Sequence, residues 1–385
     1  MQINELINFK TFEFNWDRIE TIPEFKKLKS CEQSPKWHGE GNAWIHTKLV
    51  CEAAVNICKE NHWEHEEGYV SLLLTSALFH DIGKCVTTRQ GKDGRWHSYG
   101  HEFESEKITR RLLWDCDYDT GLRFREKVCA LVKYHMIPLQ IFESKTIMEK
   151  IVEISQEIPS WYILLFLKKC DVLGSLQEDE VSKKADLVKL DSLEKTTYEM
   201  NCLYKPFNNY LNEYKEYLDD CNKPKIDVAV IIGLPGAGKS TISEKLANDD
   251  NSPFNGARII SRDTIRYELG FVKEGQKAIL SKQKENDVTD EFNDRVLKAA
   301  KARLPIILDN LNIKRKYRDG YKSLLSNYDV TWHYYYVEAP TFNDNLERRQ
   351  GEVPKMVMCQ MMNDLEMPMH DEFNKITYIK TYGED

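Results

Sequence analysis

The sequence predicts an all-α helical domain followed by an α/β domain built on a parallel sheet. From about residue 35 to residue 175 the apolar residues recur at helical spacing. From residue 226 onward, short β-branched runs alternate with helical stretches, the pattern of a parallel sheet covered by helices. The length agrees: 385 residues ask for two or three domains of roughly 100–200 residues each. With 41% apolar, 11% aromatic and 30% charged residues, the chain can bury a sizeable core, which excludes wholesale disorder.

Taken in order, residues 1–34 form an N-terminal arm whose Phe12, Phe14 and Trp16 are expected to pack onto the body. Residues 43–58 place His46, Val50, Ala53, Ala54 and Ile57 along one helical stripe. Residues 69–84 are almost wholly apolar and predict a buried helix, and helical patterns follow at 102–114, 123–135 and 161–173. Between 177 and 225 the chain turns charged, with amphipathic helices expected at 184–203 and 206–218 before the helix-breaking NKPK. Strands are then expected in IDVAVIIG from Ile226, ARIIS from Ala257, LPIILDN from Leu304 and VTWHYYYVEAP from Val330. The expected domains are the arm 1–34, a helical domain 35–180, a helical linker 181–224 and an α/β domain 225–385.

Fifty-four Lys and Arg against 62 Asp and Glu give a net charge of −8, of which −7 falls before residue 225. Long-range attraction to a polyanion is therefore not the expected global behaviour, although a local cationic cleft escapes that argument. Modest, end-directed binding of nucleic acid with little sliding along strands is what such a charge permits. Ten cysteines without a CxxC pair suggest reduced thiols, not a zinc knuckle or a redox motif. The N-terminal MQINELINFKTFEF has neither a cationic lead nor an apolar core, and no run reaches the roughly 18 apolar residues of a membrane span. A soluble, unsecreted, cytoplasmic protein is expected, with no membrane partner.

Gly233-Leu-Pro-Gly-Ala-Gly-Lys-Ser240 satisfies GxxxxGK[ST], directly after an apolar strand and before a helical segment that opens at Thr241. Gly233, Gly236 and Gly238 let successive backbone N–H groups curl around one anion, and the helix N-terminus adds partial positive charge. Lys239 is expected on the β- and γ-phosphates of ATP or another NTP, and Ser240 on Mg²⁺. Asp263, at the end of the second strand, suits a base toward an attacking hydroxyl, and Arg266, one turn on, suits an anionic group of the acceptor. Asp309 ends the third strand and is placed to orient Mg²⁺ through water. Helix capping and surface pairing are the plainer readings of these three. Lys314, Arg315, Lys316 and Arg318 form one cationic cluster and Arg348-Arg349 another, the latter suited to a phosphoryl-transfer lid. Tyr317 and Tyr321 interleave with the first cluster, as strand-stacking aromatics would, but packing explains them as well.

These residues in this order, GLPGAGKS, Asp263-x-x-Arg266, DNLN at 309–312 and LERRQGEVP at 346–354, resemble the phage-type 5′-OH polynucleotide kinases over most of 226–368. The resemblance implies that Asp263 is the general base, that Arg266 binds a 3′-phosphate, and that Arg348 or Arg349 embraces the ATP phosphates. Here the two arginines are adjacent instead of a helical turn apart, which leaves open which one acts.

The helical half carries a second pattern: His46 on an apolar stripe, His80-Asp81 in ALFHDIGK and Asp171 in LKKCDVLGS. A carboxylate amid Phe166, Leu167 and Leu173 calls for a cation or strong donors. Two imidazoles and two carboxylates suit Mn²⁺, Fe²⁺, Ni²⁺, Co²⁺ or Mg²⁺ more than a closed structural zinc. The order resembles the HD phosphohydrolase superfamily, and KWHGEGNAWIHT resembles the opening of HD domains attached to bacterial tRNA nucleotidyltransferases, over roughly 35–175. It implies that His46, His80, Asp81 and Asp171 ligate a metal that activates water, with Asp81 also able to take a proton. It further implies that His101 and His135 hold a second metal or contact substrate phosphate. Lys84 and His38 are candidate phosphate contacts, and His62, His65 and His97 are expected at the surface.

Joined in one chain, the two patterns resemble the fused HD phosphohydrolase and polynucleotide kinase proteins of bacteria and phages. The expected activity is bifunctional healing of RNA or DNA ends: removal of 2′,3′-cyclic, 2′- or 3′-phosphates by the first domain and phosphorylation of 5′-OH ends by the second. A separate RNA ligase is the implied partner. A nucleoside or metabolite kinase fused to an HD nucleotidase is the alternative, and a nucleotide sensor without phosphoryl transfer a third.

Overall fold

The computed structural model describes residues 3–34, 38–63, 67–92, 94–114, 121–176, 180–203, 225–272, 280–349, 352–369 and 371–381. The expected helix at 206–218 and the break at NKPK lie outside the described residues, apart from Lys225. Two compact units, 1–211 and 212–385, make up the chain.

In the first unit the helices Ala43–Glu60, Glu67–Phe79, His101–Leu113, Gly121–Tyr134, Trp161–Gly174 and Glu180–Leu203 surround one apolar core. The arm belongs to that core: Ile3, Leu6, Ile7 and Phe12 are buried in it, and Phe14 and Trp16 pack against its edge. Leu190 and Leu193 bring the charged helix Glu180–Leu203 into the same core. The apolar stretch from Glu67 stops being helical at Phe79, short of the expected residue 84. A turn follows, held by the Gly83 N–H donating to Ser105 Oγ at 2.8 Å, and it leaves His80 and Asp81 at a helix end.

One close approach sets the site. A Cβ on Gly174 would lie 2.6 Å from Val50 N, so only glycine lets the helices Ala43–Glu60 and Trp161–Gly174 meet there. Val50 follows His46 by one turn and Gly174 follows Asp171 by nearly one, so the same crossing brings His46 to Asp171.

The second unit is a five-stranded, all-parallel sheet in the order Arg258–Ile260, Ile306–Asp309, Ile226–Ile232, Val330–Glu338, Lys375–Lys380. Four of these strands follow the expected runs. The edge strand Lys375–Lys380 does not: its KITYIK is short and half-buried, without the apolar run that marks a central strand. The first strand is central, and its end feeds the glycine-rich loop, where Gly236 (φ +79°) and Gly238 (φ +88°) take left-handed conformations that side chains disfavour. No helix among the described residues is long and apolar enough to cross a membrane.

Candidate functional site

The first unit gathers all four expected ligands. His46 Nε2 lies 3.0 Å from Asp171 Oδ1 and 3.5 Å from Asp81 Oδ2, and His80 Nε2 lies 3.3 Å from Asp81 Oδ2 and 3.8 Å from Asp171 Oδ1. On the other side of the same carboxylate, Asp81 Oδ1 lies 3.1 Å from His101 Nε2 and 3.8 Å from His135 Nε2. Asp81 is thus shared by two histidine pairs, and each pair with Asp81 keeps its ligating atoms within 4.8 Å of one another.

The tautomers follow from local backbone geometry. Nδ1–H of His80, His101 and His135 donates to the carbonyl three residues earlier, Ala77, Ser98 and Val132, at 2.9, 2.9 and 2.7 Å. A carbonyl only accepts, so each ring carries its proton on Nδ1 and turns the Nε2 lone pair inward. His80 Nε2 is buried without a hydrogen-bond partner, and His101 Nε2 and His135 Nε2 face each other at 3.3 Å. Two facing lone pairs repel unless a cation or a proton lies between them. These residues therefore fit divalent metal.

Electrostatics prepares the same groups. Burial would raise the Asp81 carboxyl, but the Lys84 ammonium beside it holds it well below the usual carboxylate range. Burial would likewise raise Asp171, and Lys168 with His46 holds it down. His46 is lowered by burial but raised more by hydrogen bonds to Asp171 and Glu40, reaching about 9. The cleft over these groups has a volume of about 540 Å³, with Lys84, Lys168, His38, Asp81, Asp171 and His101 in its lining.

Lys84 and His38 are both in the cleft. Lys84 Nζ donates to Gln33 Oε1 at 2.6 Å and sits 2.7 Å from Asp81 Oδ2, while His38 Nδ1 bonds Glu40 Oε1 at 2.8 Å. Three participants escaped the sequence. Lys168 donates to Asp171 Oδ2 at 2.6 Å, and an i, i+3 Lys-x-x-Asp spacing on a buried helix was its signal. Glu40 is fully buried behind His46, in a loop without periodicity. His97, expected at the surface, lines the cleft instead, because it stands on a hairpin, Arg89–Gln90 with Trp96–His97, too short to show alternation. His65 lies outside the described residues.

In the second unit the glycine-rich loop leads into the helix Lys239–Asn248, whose first turn holds Lys239, Ser240 and Thr241. A Cβ on Gly233 would lie 2.3 Å from the Val337 carbonyl, so the loop is pressed against the neighbouring strand. Lys239 Nζ donates to the Leu234 carbonyl at 3.0 Å. Asp309 is buried beside Ser240; burial raises its carboxyl against the lowering by Ser240 and Lys239.

Asp263 stands in the first turn of the helix Arg262–Glu268, its side chain 85% exposed and bonded to Arg266 Nη1 at 2.6 Å. Arg266 also donates twice to Glu285, at 3.2 and 3.1 Å. The helix is capped from another strand: Asn310 Oδ1 accepts the Arg262 N–H at 2.9 Å. Asn312 Nδ2 donates to the Ile231 and Leu308 carbonyls and its Oδ1 accepts from Tyr321 OH, so DNLN laces the strand ends together.

The cationic cluster after the third strand is largely structural. Arg318 is fully buried and paired with Glu372, while Arg315 pairs with Asp371 and Lys314 with Asp364. Tyr321 is packed in the fold, whereas Tyr317 is half exposed beneath Lys316. Of the adjacent arginines, Arg348 Nη1 donates to the Gly236 carbonyl at 3.1 Å and to Thr381 Oγ1 at 3.2 Å; Arg349 Nη1 donates to Glu352 at 2.7 Å. They stand between the strand Val330–Glu338 and the final strand, Lys375–Lys380.

Residues 43–184 match the HD domain family and residues 228–368 match the AAA domain family. The chain therefore joins an HD phosphohydrolase-type domain to a P-loop kinase-type domain. It is 27% identical over 140 residues to the multifunctional CCA protein of Pasteurella multocida, covering 36% of this chain and 30% of that one. To the protein of the same name from Actinobacillus pleuropneumoniae it is 38% identical over 93 residues, covering 24% and 20%. The chain thus spans only a fifth to a third of these relatives. Among solved structures, the Pnkp1/Rnl/Hen1 complex matches at TM-score 0.29 with 17% identity, covering 36% of this chain and 44% of that one. A gluconokinase from Sinorhizobium meliloti matches at 0.29 with 19% identity, covering 40% and 82%. At such scores neither is a guide to substrate.

Proposed function

We propose that the chain heals the two sides of a broken RNA or DNA strand, its HD unit clearing 2′,3′-cyclic, 2′- or 3′-phosphates and its P-loop unit phosphorylating 5′-OH ends. The observation that carries the first half is Asp81 shared between two histidine pairs at the floor of a cleft that also holds two lysines. A divalent ion held by His46, His80, Asp81 and Asp171, with His101 and His135 available to a second, supplies Lewis acidity toward a phosphoryl oxygen and acidifies water. Lys84 and Lys168, held 2.7 and 2.6 Å from Asp81 and Asp171, line the cleft and offset the charge of a phosphate entering it, and Asp81 has one oxygen directed to each histidine pair.

In the second unit the loop N–H groups and Lys239 hold the nucleotide phosphates, with Ser240 and Asp309 disposed toward Mg²⁺. Asp263 takes the proton of the 5′-hydroxyl as its oxygen bonds to the γ-phosphorus and ADP leaves. Arg348, already on the loop backbone, is the better placed of the two arginines to turn onto those phosphates. The products are ends suited to a separate RNA ligase.

One observation favours a second reading. Arg266 is bonded to both Glu285 and Asp263, so a phosphate on the acceptor must compete with two carboxylates. An acceptor without a 3′-phosphate, such as a nucleoside or sugar, needs no such exchange. The deciding experiment gives the protein ATP and Mg²⁺ with 5′-OH oligonucleotides, nucleosides and sugars in parallel, alongside RNA ending in a 2′,3′-cyclic phosphate and a panel of divalent metals. Labelled 5′ ends together with phosphate release support end healing; labelling of small acceptors alone refutes it. Asp81→Ala should abolish only phosphate release and Asp263→Ala only kinase activity.

A further inference from the structure

The rim of the HD cleft carries chemistry that phosphate hydrolysis by itself does not use. Arg89–Gln90 pairs antiparallel with Trp96–His97, Arg89 opposite His97, and Trp96, His97, Ser98 and Tyr99 all line the cleft. Tyr99 is 83% exposed, and its ring stacks on His97 with centroids 5.0 Å apart and planes 11° from parallel. An exposed tyrosine alone signifies little. This one sits two residues before His101, whose Nδ1–H donates to the Ser98 carbonyl, so the stacked pair is held in register with the histidines around Asp81.

The rim carries net positive charge, with three cations against the single carboxylate Asp93 in residues 89–99. Arg89, Lys92 and Arg95 are exposed on the hairpin and its turn, within a half of the chain that is otherwise acidic. Opposite residues of a two-stranded ribbon share a face, so Arg89 stands beside His97. Cations interleaved with an exposed aromatic stack, continuous with a lysine-bearing phosphate cleft, complement a single strand that has both bases and phosphates.

We propose that this hairpin is a strand-binding platform. The terminal base stacks on Tyr99 and His97 while its phosphate enters the cleft, and Arg89, Lys92 and Arg95 attract the preceding phosphates. This rests on reading the HD unit as an end-processing site and adds what would select a polynucleotide over a mononucleotide there.

The test is fluorescence anisotropy of a labelled single-stranded oligonucleotide with a 3′-phosphate, bound to the full chain in EDTA so that no turnover occurs. Tyr99→Ala should weaken binding about tenfold and Tyr99→Phe less than about twofold, as expected for loss and retention of one stacked base. Tyr198→Ala, an exposed aromatic on the helix Glu180–Leu203, should bind as wild type does. Arg89→Ala with Arg95→Ala should flatten the salt dependence. Wild-type affinity in Tyr99→Ala, or no binding by wild type, overturns the platform. Phosphate release is then measured with metal restored. Binding through Tyr99 without phosphate release from any strand end leaves the platform standing and refutes the end-healing reading; phosphate release with an unchanged KM in Tyr99→Ala does the reverse.

Discussion

Glu40 Oε1 lies 2.8 Å from His46 Nδ1, both side chains fully buried, and the other Glu40 oxygen accepts the Leu176 N–H at 2.9 Å. The carboxylate thus orients the one imidazole among His46, His80, His101 and His135 that lacks a backbone carbonyl partner, and ties it to the turn just after Asp171. Glu40→Gln keeps the shape but removes the charge. It should weaken divalent metal affinity by about 10–100-fold, read by calorimetric titration of the metal-free protein, with secondary structure intact. Unchanged affinity would leave Glu40 a packing residue only.

Arg348 and Arg349 differ in what holds them. Arg348 reaches the glycine-rich loop and Arg349 is engaged by Glu352. Arg348→Ala should lower kinase kcat by about 10³ or more, in the range of arginines that neutralise charge in phosphoryl transfer, and Arg349→Ala by tenfold or less. Equal losses in steady-state assays would return the assignment to an open choice.

Asn310 positions the Asp263 helix by accepting the Arg262 N–H. Asn310→Ala frees the Arg262 N–H, and loss of such a cap costs about 1 kcal/mol. The expected signature is a lower kcat with nearly unchanged KM for ATP, because the loop that binds phosphates is held by other contacts. Asn310→Asp, which can still accept that N–H, should recover most of the rate.

Glu126 is buried between Arg110, which donates from Nε and Nη2 at 2.8–3.2 Å, and Arg125, which donates at 2.8 Å. Burial would raise its carboxyl, but the two guanidinium charges lower it further, below the ordinary glutamate value. A depressed folded pKa adds stability above the unfolded value of about 4.3, lost as pH falls through the folded one. Glu126→Gln, which leaves buried cations without their counter-charge, should cost about 3–5 kcal/mol at neutral pH. In calorimetry of the first unit's transition, the gap to wild type should narrow below about pH 4.

Much of the site was legible because its chemistry is local. The glycine-rich loop needs a strand, a tight turn and a helix in immediate succession, so eight residues and their flanks declare it. His80-Asp81 is a doublet in an apolar run, and burial of such groups already asks for a cation. Lys168 and Glu40 were not legible, since a lysine or glutamate in a sequence does not say which carboxylate or imidazole it will face. The same ambiguity made Lys314, Arg315 and Arg318 read as a cationic cluster, when their partners Asp364, Asp371 and Glu372 lie about fifty residues onward.

By itself the sequence determined the two kinds of domain and the glycine-rich loop and marked the candidate ligand residues, because hydrophobic period and motif spacing are properties of neighbouring residues. Only the tertiary structure decided which oxygen of Asp81 serves which histidine pair, that Asn310 caps a helix begun 48 residues earlier, and that His97 and Tyr99 frame the cleft. Those relations arise where separate helices and strands meet, at distances of about 3 Å for bonds and 5 Å for rings, and a linear pattern does not encode an approach between elements.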